Sequence, residues 1–386
     1  MQRVADRPEQ AAIRVDLGAI FVSLELSRST WLITSLSPGG GEKMSKHAVR
    51  SGDVAGLLGQ LEMLTEKARA RTGKRFRIIV IQEAGLDGFW IHRVLRSEGI
   101  ESHVVDAASI LVSRRRRRAK TDKIDGETLV RTLLAYKRGE PRVCSMVKPP
   151  TPEEEDCRRI SRERKTLIAE RVKHVNRIKG LLFAQGIRGI NVKSQYKTLA
   201  VDKLITGDGH RLPPRLACEI AREIQRLAVV QEQIAEIECE RDTAPTPCEA
   251  TERKRLLLLQ LKSIGPAISA LLSREVYYRQ FVNRRQVGSF LGLTPSPHSS
   301  GEEEHCQGIS RAGSGPVRAI MIETAWLWTR HQPKSALTRW FVGRTAGQST
   351  RMRKIMIVAV ARKLAIALWR YVEHGLVPQA QSSSRQ

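Results

Sequence analysis

Apolar and polar positions alternate along the first hundred residues in a pattern that predicts a sheet flanked by helices. Short β-rich runs predict three successive strands, at 13–18, 20–26 and 31–36. Leucines at helical spacing over 52–70, another β-rich run at 76–81, a helical segment at 89–97 and a strand at 102–105 follow in order. Strands joined first by hairpins and then by helices favour an α/β domain with a mixed sheet and helices on its faces.

Beyond residue 149 the pattern becomes almost wholly helical. Two long segments, about 153–187 and 215–241, each carry a thin apolar stripe, which is typical of helices that pair as a hairpin or coiled coil. Clusters of prolines precede and follow this pair, and the chain after it is mostly helical with a loop at 294–308. The predicted domains are 1–150 (mixed sheet), 151–245 (helical hairpin) and 246–378 (all-α), with a disordered polar tail at 379–386.

The charge balance points to a polyanionic partner. The 386 residues carry a formal net charge of +26, which favours binding to a phosphate backbone. Aromatic residues make up only 5% of the chain, so base stacking is not expected to dominate binding. The six cysteines are scattered without a CxxC pair, which indicates reduced thiols and neither a zinc site nor a disulfide framework. No apolar signal or membrane anchor is visible, so we expect a cytoplasmic protein.

A run of arginines followed by two carboxylates is the most informative local feature. Asp122 and Asp125 are spaced i, i+3, which on a helix places both on one face. Arginines beside an acidic pair suit a metal-dependent phosphodiester enzyme, although a solvated charge run before a helix start would look alike. The candidate nucleic-acid-binding residues are Arg114, Arg115, Arg116, Arg117, Arg118, Lys120 and Lys123, together with Arg311 and Arg318, which flank two glycines before a later helix.

Two further acids occupy positions where active sites often lie. Asp16 interrupts the first apolar run, and Glu83 directly follows the fourth. If these strands were neighbours, both acids would lie side by side, and the helix bearing Asp122 and Asp125 would close the site. Four carboxylates in one place repel each other unless divalent cations neutralise them. Taken singly, each acid also fits a turn or a helix N-cap.

The order of these motifs resembles the DEDD transposases of bacterial insertion sequences. The matching segments are Val15–Gly18, Gln82–Gly85, Lys120–Asp125, Gly292–Gly301, Gly308–Gly313, Pro316–Arg318, Glu323–Trp328 and Gln332–Leu337. Details of the later segments favour the IS-eleven-eleven branch of the family. One departure is Gly126, where the family commonly has alanine, and glycine weakens a helix by up to ~1 kcal/mol.

The resemblance implies a fold, a chemistry and partners. It implies an RNase H-like (RuvC-like) N-terminal domain and a helical C-terminal transposase domain. It implies that Asp16, Glu83, Asp122 and Asp125 bind Mg²⁺ or Mn²⁺, and that Ser300 attacks DNA to form a phosphoserine link. Ser299, next to it, stays open as an alternative nucleophile. The implied partners are donor and target DNA and a guide RNA, known as a bridge or seek RNA, encoded by the element.

Other functions and the assembly state are also open at this stage. A Holliday-junction-type endonuclease would share the acids, attack with water and not need Ser300. A non-catalytic nucleic-acid scaffold would account for the charge but not for Asp16 in an apolar run. The thin stripe of the helical hairpin also predicts self-association, from a dimer to a tetramer.

Overall fold

The strands described within residues 1–149 form one mixed sheet. The computed structural model describes residues 17–41, 43–85, 88–110, 122–141, 143–243, 248–300, 303–311 and 313–378. The chain divides into two units, Met1–Pro149 and Pro150–Gln386. The first contains strands β1 Ala19–Leu26, β2 Thr30–Leu36, β3 Ser45–Arg50, β4 Arg77–Glu83, β5 Glu101–Val105 and β6 Met146–Val147, and helices α1 Val54–Thr72, α2 Trp90–Ser97 and α3 Asp122–Lys137.

The strand order across this sheet is β3-β2-β1-β4-β5-β6. β1, β2 and β3 form an antiparallel meander, whereas β4 pairs parallel to β1 and β5 parallel to β4. The short β6 closes the edge antiparallel to β5. Parallel neighbours require a crossover, which α1 provides between β3 and β4 and α2 between β4 and β5. The mixed α/β sheet predicted from the sequence is confirmed.

The two faces of the sheet bury different residues of β1. Ile20, Val22 and Leu24 pack toward α1 and its buried leucines. Ala19 and Phe21 face the other way, toward the apolar side of α3. Both faces are therefore covered by helices, as expected for a sheet with parallel strands.

The predicted first strand, 13–18, is not the strand that pairs with β4. Residues 13–16 lie outside the described residues, and Leu17 and Gly18 precede β1 without belonging to a strand. The run predicted as the second strand is β1, and β1 is the neighbour of β4. The prediction also missed β3, whose sequence Ser-Lys-His-Ala-Val-Arg is too polar to stand out, and the two-residue β6.

The second unit begins with a pair of long helices. It contains α4 Pro152–Asp156, α5 Arg159–Phe183, α6 Val192–Gln195 and α7 Pro214–Thr243. Ion pairs join Arg164 to Glu238 near one end of the pair and Arg177 to Glu219 near the other, so α5 and α7 run antiparallel. Apolar side chains of both helices bury each other along their length.

The C-terminal helices share a larger core. They are α8 Glu249–Leu259, α9 Pro266–Leu271, α10 Arg284–Phe290, α11 Gly315–His331, α12 Ala336–Thr345 and α13 Thr350–His374, with a π-helical turn at Leu272–Val276. Helix α13 is buried along one side from Ile357 to Val372. The buried Trp328 of α11 donates from Nε1 to Ser335 Oγ at 2.9 Å, which satisfies its polar atom inside this core.

The loop predicted at 294–308 contains a strand pair instead. β7 Pro295–Ser300 and β8 Glu303–Ile309 are antiparallel, with an irregular register between Pro295 and Pro297. The prolines and polar residues hide the strand character in the sequence. The tail 379–386 lies outside the described residues. Among the helices that the structure describes, none is long and apolar enough to cross a membrane.

Candidate functional site

Two glutamates lie side by side where β1 and β4 end. Leu24 of β1 pairs with Gln82 of β4, so Glu25 and Glu83 are the next residues along two parallel strands. Side chains two residues apart share a face of a sheet. Ser23 and Ile81, two positions earlier, both face α3. Glu25 and Glu83 are therefore on the face of the sheet that α3 covers.

Helix α3 is fixed over this face at several points. The Ser23 hydroxyl donates to the carbonyl oxygen of Gly126 at 2.8 Å. Lys46 Nζ of β3 contacts Glu127 Oε1 at 2.5 Å. Since Asp122 and Asp125 occupy the first turn of α3, these contacts hold their backbone above the end of the sheet that carries Glu25 and Glu83. Asp125 is half-buried, and the side chain of Asp122 lies outside the described part of the structure.

The far end of α3 is fixed by a second ionic contact. Lys137 Nζ contacts Glu101 Oε1 at 2.6 Å, and His103 Nε2 lies 2.8 Å from the same oxygen. Burial opposes ionisation of Glu101, but the hydrogen bonds from Lys137 and His103 lower its pKa below its ordinary value. The ionised carboxylate of Glu101 thereby ties the last turn of α3 to β5.

Gly126 allows α3 to approach the sheet closely. A Cβ at this position would lie 2.5 Å from Thr34 Oγ1 and 3.2 Å from Thr34 Cβ. Thr34 is fully buried, so it has little room to move. Glycine at this position therefore avoids a steric clash with Thr34. The free energy of that clash is larger than the small loss of helix stability that glycine causes relative to alanine.

The acid that β1 contributes to this site is Glu25, which was not among the predicted residues. Asp16 lies outside the described residues. Ala19, the first residue of β1, pairs with Arg77, the first residue of β4. Glu83 is the last residue of β4, so Ala19 lies at the other end of the strand pair. A signal for Glu25 was present in the sequence, because it is a charged residue near the end of an apolar run, one residue before that run ends at Leu26 and the turn at 27–29 begins. Sequence reasoning missed it by placing the strand one segment too early.

The chemistry of the donors fits a hard divalent cation, because carboxylate oxygens are the ligands such ions prefer. Glu25 and Glu83 offer two adjacent carboxylates, and α3 adds Asp125 and the backbone position of Asp122. Among the side chains that the structure describes, no three His, Cys, Asp or Glu residues are gathered closely enough to hold an ion.

Ser300 lies at the end of a strand in the second unit. It is the last residue of β7 and pairs with Glu303, while Ser299 pairs with Glu304. The side chains of both serines lie outside the described part of the structure. At the other end of the hairpin, the Ser310 amide donates to the carbonyl of Thr294 at 2.8 Å and closes the base of the strand pair.

Two arginines flank the turn between β8 and α11. Arg318 donates from Nη1 to the carbonyl of Arg311 at 3.1 Å, so part of its guanidinium supports the turn. Gly313, at φ +83°, lies so close to Phe290 that a Cβ there would be only 2.0 Å from the carbonyl oxygen. Arg311 itself is exposed and precedes the N-terminus of α11, where backbone N–H groups and the helix dipole favour anions.

The remaining predicted contact residues are not placed by the structure. The arginine run from Arg114 to Arg118 and Lys120 lie outside the described residues, and so does the side chain of Lys123. Of the predicted nucleic-acid-binding residues, the structure therefore describes the side chains of Arg311 and Arg318.

Two family models match the chain. One, described as the transposase IS116/IS110/IS902 family, matches residues 255–339, and the other, a DEDD transposase model of IS110 type, matches residues 41–184. Glu83, Asp122 and Asp125 lie within the N-terminal match. Ser300, Arg311 and Arg318 lie within the C-terminal match.

Curated relatives agree with both models. The chain is 59% identical over 382 residues to a putative transposase, y4rJ, of Sinorhizobium fredii, and the alignment covers 96% of each chain. It is 29% identical over 238 residues to the transposase for insertion sequence element IS1328 of Yersinia enterocolitica, which covers 60% of this chain and 67% of that one. It is 26% identical over 261 residues to the transposase for insertion sequence element IS1111A of Coxiella burnetii, covering 66% of each.

Proposed function

Since the chain belongs to the IS116/IS110/IS902 family of transposases, we propose that it cuts and rejoins DNA with a carboxylate site in its first unit and a serine nucleophile in its second. The observation that carries the proposal is the pairing of Glu25 and Glu83 on adjacent parallel strands beneath the start of α3. Two adjacent acids on a largely apolar sheet lower its stability because they repel each other, so a catalytic role explains them better than a structural one. A non-catalytic scaffold would not need them.

The carboxylate site consists of Glu25, Glu83, Asp122 and Asp125, with Glu25 in the place first expected for Asp16. These residues would hold Mg²⁺ or Mn²⁺, which supplies charge stabilisation for the phosphoryl group when bound. The strands fix the backbone of the glutamates, and the anchored helix fixes the backbone of the aspartates.

The serine step conserves the phosphodiester energy. The Ser300 Oγ gives up its proton and bonds to the phosphorus, while the sugar oxygen of the cut strand leaves and takes up a proton. Attack by the sugar hydroxyl of another strand on this phosphoserine reverses the step, rejoins DNA and frees the serine. Arg311, exposed before α11, would hold a neighbouring phosphate.

Guidance by a structured RNA is part of the same proposal. The resemblance to the DEDD insertion-sequence transposases supports it, and the net charge of +26 suits a protein that holds RNA and DNA together. Sequencing of RNA that co-purifies with the protein should return one abundant non-coding transcript from beside its own gene. Recovery of only unrelated cellular RNA would contradict guidance.

The catalytic test uses the protein with its co-purified RNA and DNA that spans the ends of its element. The wild type should leave a covalent protein–DNA adduct that survives denaturation, and Ser300→Ala should leave none. Glu25→Gln should lower strand cleavage at least ~10²-fold, the scale for loss of a key transition-state group, because it removes a charged ligand. Asp16→Asn is the matched control and should keep most of the activity.

Three results would each overturn a part of this proposal. Cleavage by Ser300→Ala without any adduct would favour a water-attacking endonuclease of the Holliday-junction type. An adduct formed by Ser300→Ala would move the nucleophile to Ser299. Loss of cleavage in Asp16→Asn but not in Glu25→Gln would restore Asp16 to the carboxylate site.

A further inference from the structure

A basic groove lies on the first unit, on the side of the sheet away from α3. The sheet side of the groove comprises Ser35, Ser37, Ser45 and His47 of β2, β3 and the residues that follow β2. The other side is the last part of α1, and the turn between β2 and β3 adds to one end. Its cations are Lys67 and Arg71 of α1 and Lys43 of the segment between β2 and β3.

This groove is separate from the carboxylate site. Ser45 and His47 pair with Ser35 and Ile33, whose face of the sheet packs against α1. Lys46, between them, points to the opposite face, where it contacts Glu127 of α3. Along the strands, Ser35 is level with Val22, three residues before Glu25. The groove and the acids therefore occupy opposite faces of one sheet.

Among the residues that the structure describes, the cations of the groove are not paired with acids. Lys43, Lys67 and Arg71 are all exposed, and the described lining contains no aspartate or glutamate. Within the described residues none of these three cations forms an ion pair, although the nearby Lys46 and Arg69 do. Three converging positive charges repel each other unless an anion lies between them.

Several polar groups of the groove are positioned to accept such an anion. Arg71 donates from Nε to the Lys67 carbonyl at 3.0 Å. Its Nη1 packs so closely against Gly40 that a Cβ added to this glycine would lie only 2.8 Å from it. This holds the guanidinium in place. Ser37 is only 7% exposed and its hydroxyl has no hydrogen-bond partner. Burial and the charge of Lys67 lower the pKa of His47 below its ordinary value.

We propose that this groove binds the phosphodiester backbone of a nucleic-acid strand, apart from the strand that reaches the carboxylates. Lysine and arginine side chains with serine hydroxyls are typical ligands of phosphate oxygens. The described lining contains no Phe, Tyr or Trp side chain on which a base would stack, so we expect contact with the backbone that is independent of sequence. A protein that holds RNA and DNA at once needs such a second backbone surface.

The test replaces the three groove cations together. Lys43→Gln, Lys67→Gln and Arg71→Gln in one variant should weaken binding at least ~10-fold at physiological salt, and the salt slope should fall by nearly 1 for each lost phosphate contact. The matched control replaces Arg69, Lys74 and Arg75 by glutamine. It removes the same charge from exposed positions outside the groove and should change affinity much less.

Three probes identify the strand: single-stranded RNA, DNA of the same sequence, and the corresponding duplex. Affinity is measured by fluorescence anisotropy on the full chain without divalent metal, with folding checked by circular dichroism. Loss confined to RNA assigns the groove to RNA, loss confined to DNA assigns it to DNA, and loss for both assigns it to either backbone. Equal effects of the two triple variants, or no effect of the groove variant, would overturn the proposal.

The inference depends on the nucleic-acid substrates of the proposed function but not on its chemistry. Binding without metal is read separately from cleavage, so failure of the serine mechanism would leave the groove result intact. Likewise, normal binding by the groove variant would overturn the groove proposal but leave the proposed serine mechanism at Ser300 unaffected.

Discussion

The absence of a side chain at Gly126 lets α3 approach the sheet closely. Gly126→Ala should destabilise the first unit by ~1–3 kcal/mol, the usual cost of overpacking, because the new Cβ would meet Thr34 Oγ1 at 2.5 Å. The gain in helix propensity, up to ~1 kcal/mol, is too small to offset this. Urea unfolding of the full chain measures the change, and strand cleavage should fall because Asp125 moves with the helix.

Two further variants make this prediction specific. Thr34→Ala removes the clashing hydroxyl, which has no hydrogen-bond partner, so it should largely restore the stability of Gly126→Ala. Gly59→Ala on α1, where nothing lies within 4 Å of the new Cβ, should leave stability equal or higher. A Gly126→Ala protein as stable as the wild type would mean that α3 is not held by this contact.

The carboxylate residues illustrate how far the sequence alone could lead. Glu83, Asp122 and Asp125 were selected by their place at a strand end and by helical spacing, and both features recur in the structure. Glu25 was not selected, because strand register is a long-range property that depends on which runs pair. The contact between Thr34 and Gly126 joins residues far apart in sequence, and no local pattern indicates it.

At the scale of elements, a buried carboxylate holds the two long helices together. Glu223 of α7 is 2% exposed; its Oε2 lies 2.7 Å from His174 Nδ1 of α5, and its Oε1 lies 3.5 Å from Arg177 Nε. Arg226 contacts the same carboxylate from the next turn. Burial opposes ionisation, but the hydrogen bonds from His174 and Arg226 dominate and lower the pKa of Glu223.

Glu223→Gln should therefore destabilise the second unit by ~1–3 kcal/mol at neutral pH, since it removes charged hydrogen bonds from a buried position. The stabilisation by the wild-type carboxylate is complete above the ordinary glutamate pKa of ~4.3 and is lost as pH falls below it, through the lowered pKa of Glu223. The stability difference between variant and wild type should shrink accordingly on acidification. Denaturation at a series of pH values measures it.

The matched control is Glu219→Gln, on the same helix. Glu219 pairs with Arg177 at 2.8 Å but is 37% exposed, so water screens the pair and the substitution should change stability little at any pH. A difference between Glu223→Gln and wild type that stays constant with pH would show that the carboxylate contributes only through packing.

Helices were predicted better than strands, for a physical reason. The apolar stripes of α1, α5 and α7 are properties of each segment, and their periodicity survives in the structure. β3 and β7 pair with neighbouring strands in local hairpins, but they are so polar that their sequences look like loops. The boundary between the two units falls between Pro149 and Pro150, within a run of prolines that marks a break in the sequence.

At the scale of the whole molecule, the two chemical groups of the proposed reaction belong to different units. The carboxylates lie within Met1–Pro149 and Ser300 lies within Pro150–Gln386. Each unit has its own hydrophobic core, so each can keep its structure while the other changes. Apolar residues also remain exposed on the helical pair, including Val172 of α5 and Val229 of α7, which is consistent with self-association through these helices.

This division leads to a prediction about the assembly. If the acids of one copy act on DNA held by the serine of another, then Ser300→Ala and Glu25→Gln, each inactive alone, should regain activity when mixed. In a dimer with two composite sites, a mixed pair keeps one site with an intact serine and intact acids, while the other site loses both. The measurement is adduct formation across mixing ratios, with a maximum expected near equal amounts.

The control for this experiment is a protein that carries both substitutions on one chain. When this protein pairs with a wild-type chain, each composite site contains either its substituted serine or its substituted acid. Activity per wild-type chain should therefore fall. Mixed with Ser300→Ala, it should give no adduct, because neither chain supplies the serine. Activity that stays absent in every mixture of the two single variants would place the serine and the carboxylates of one site on the same chain.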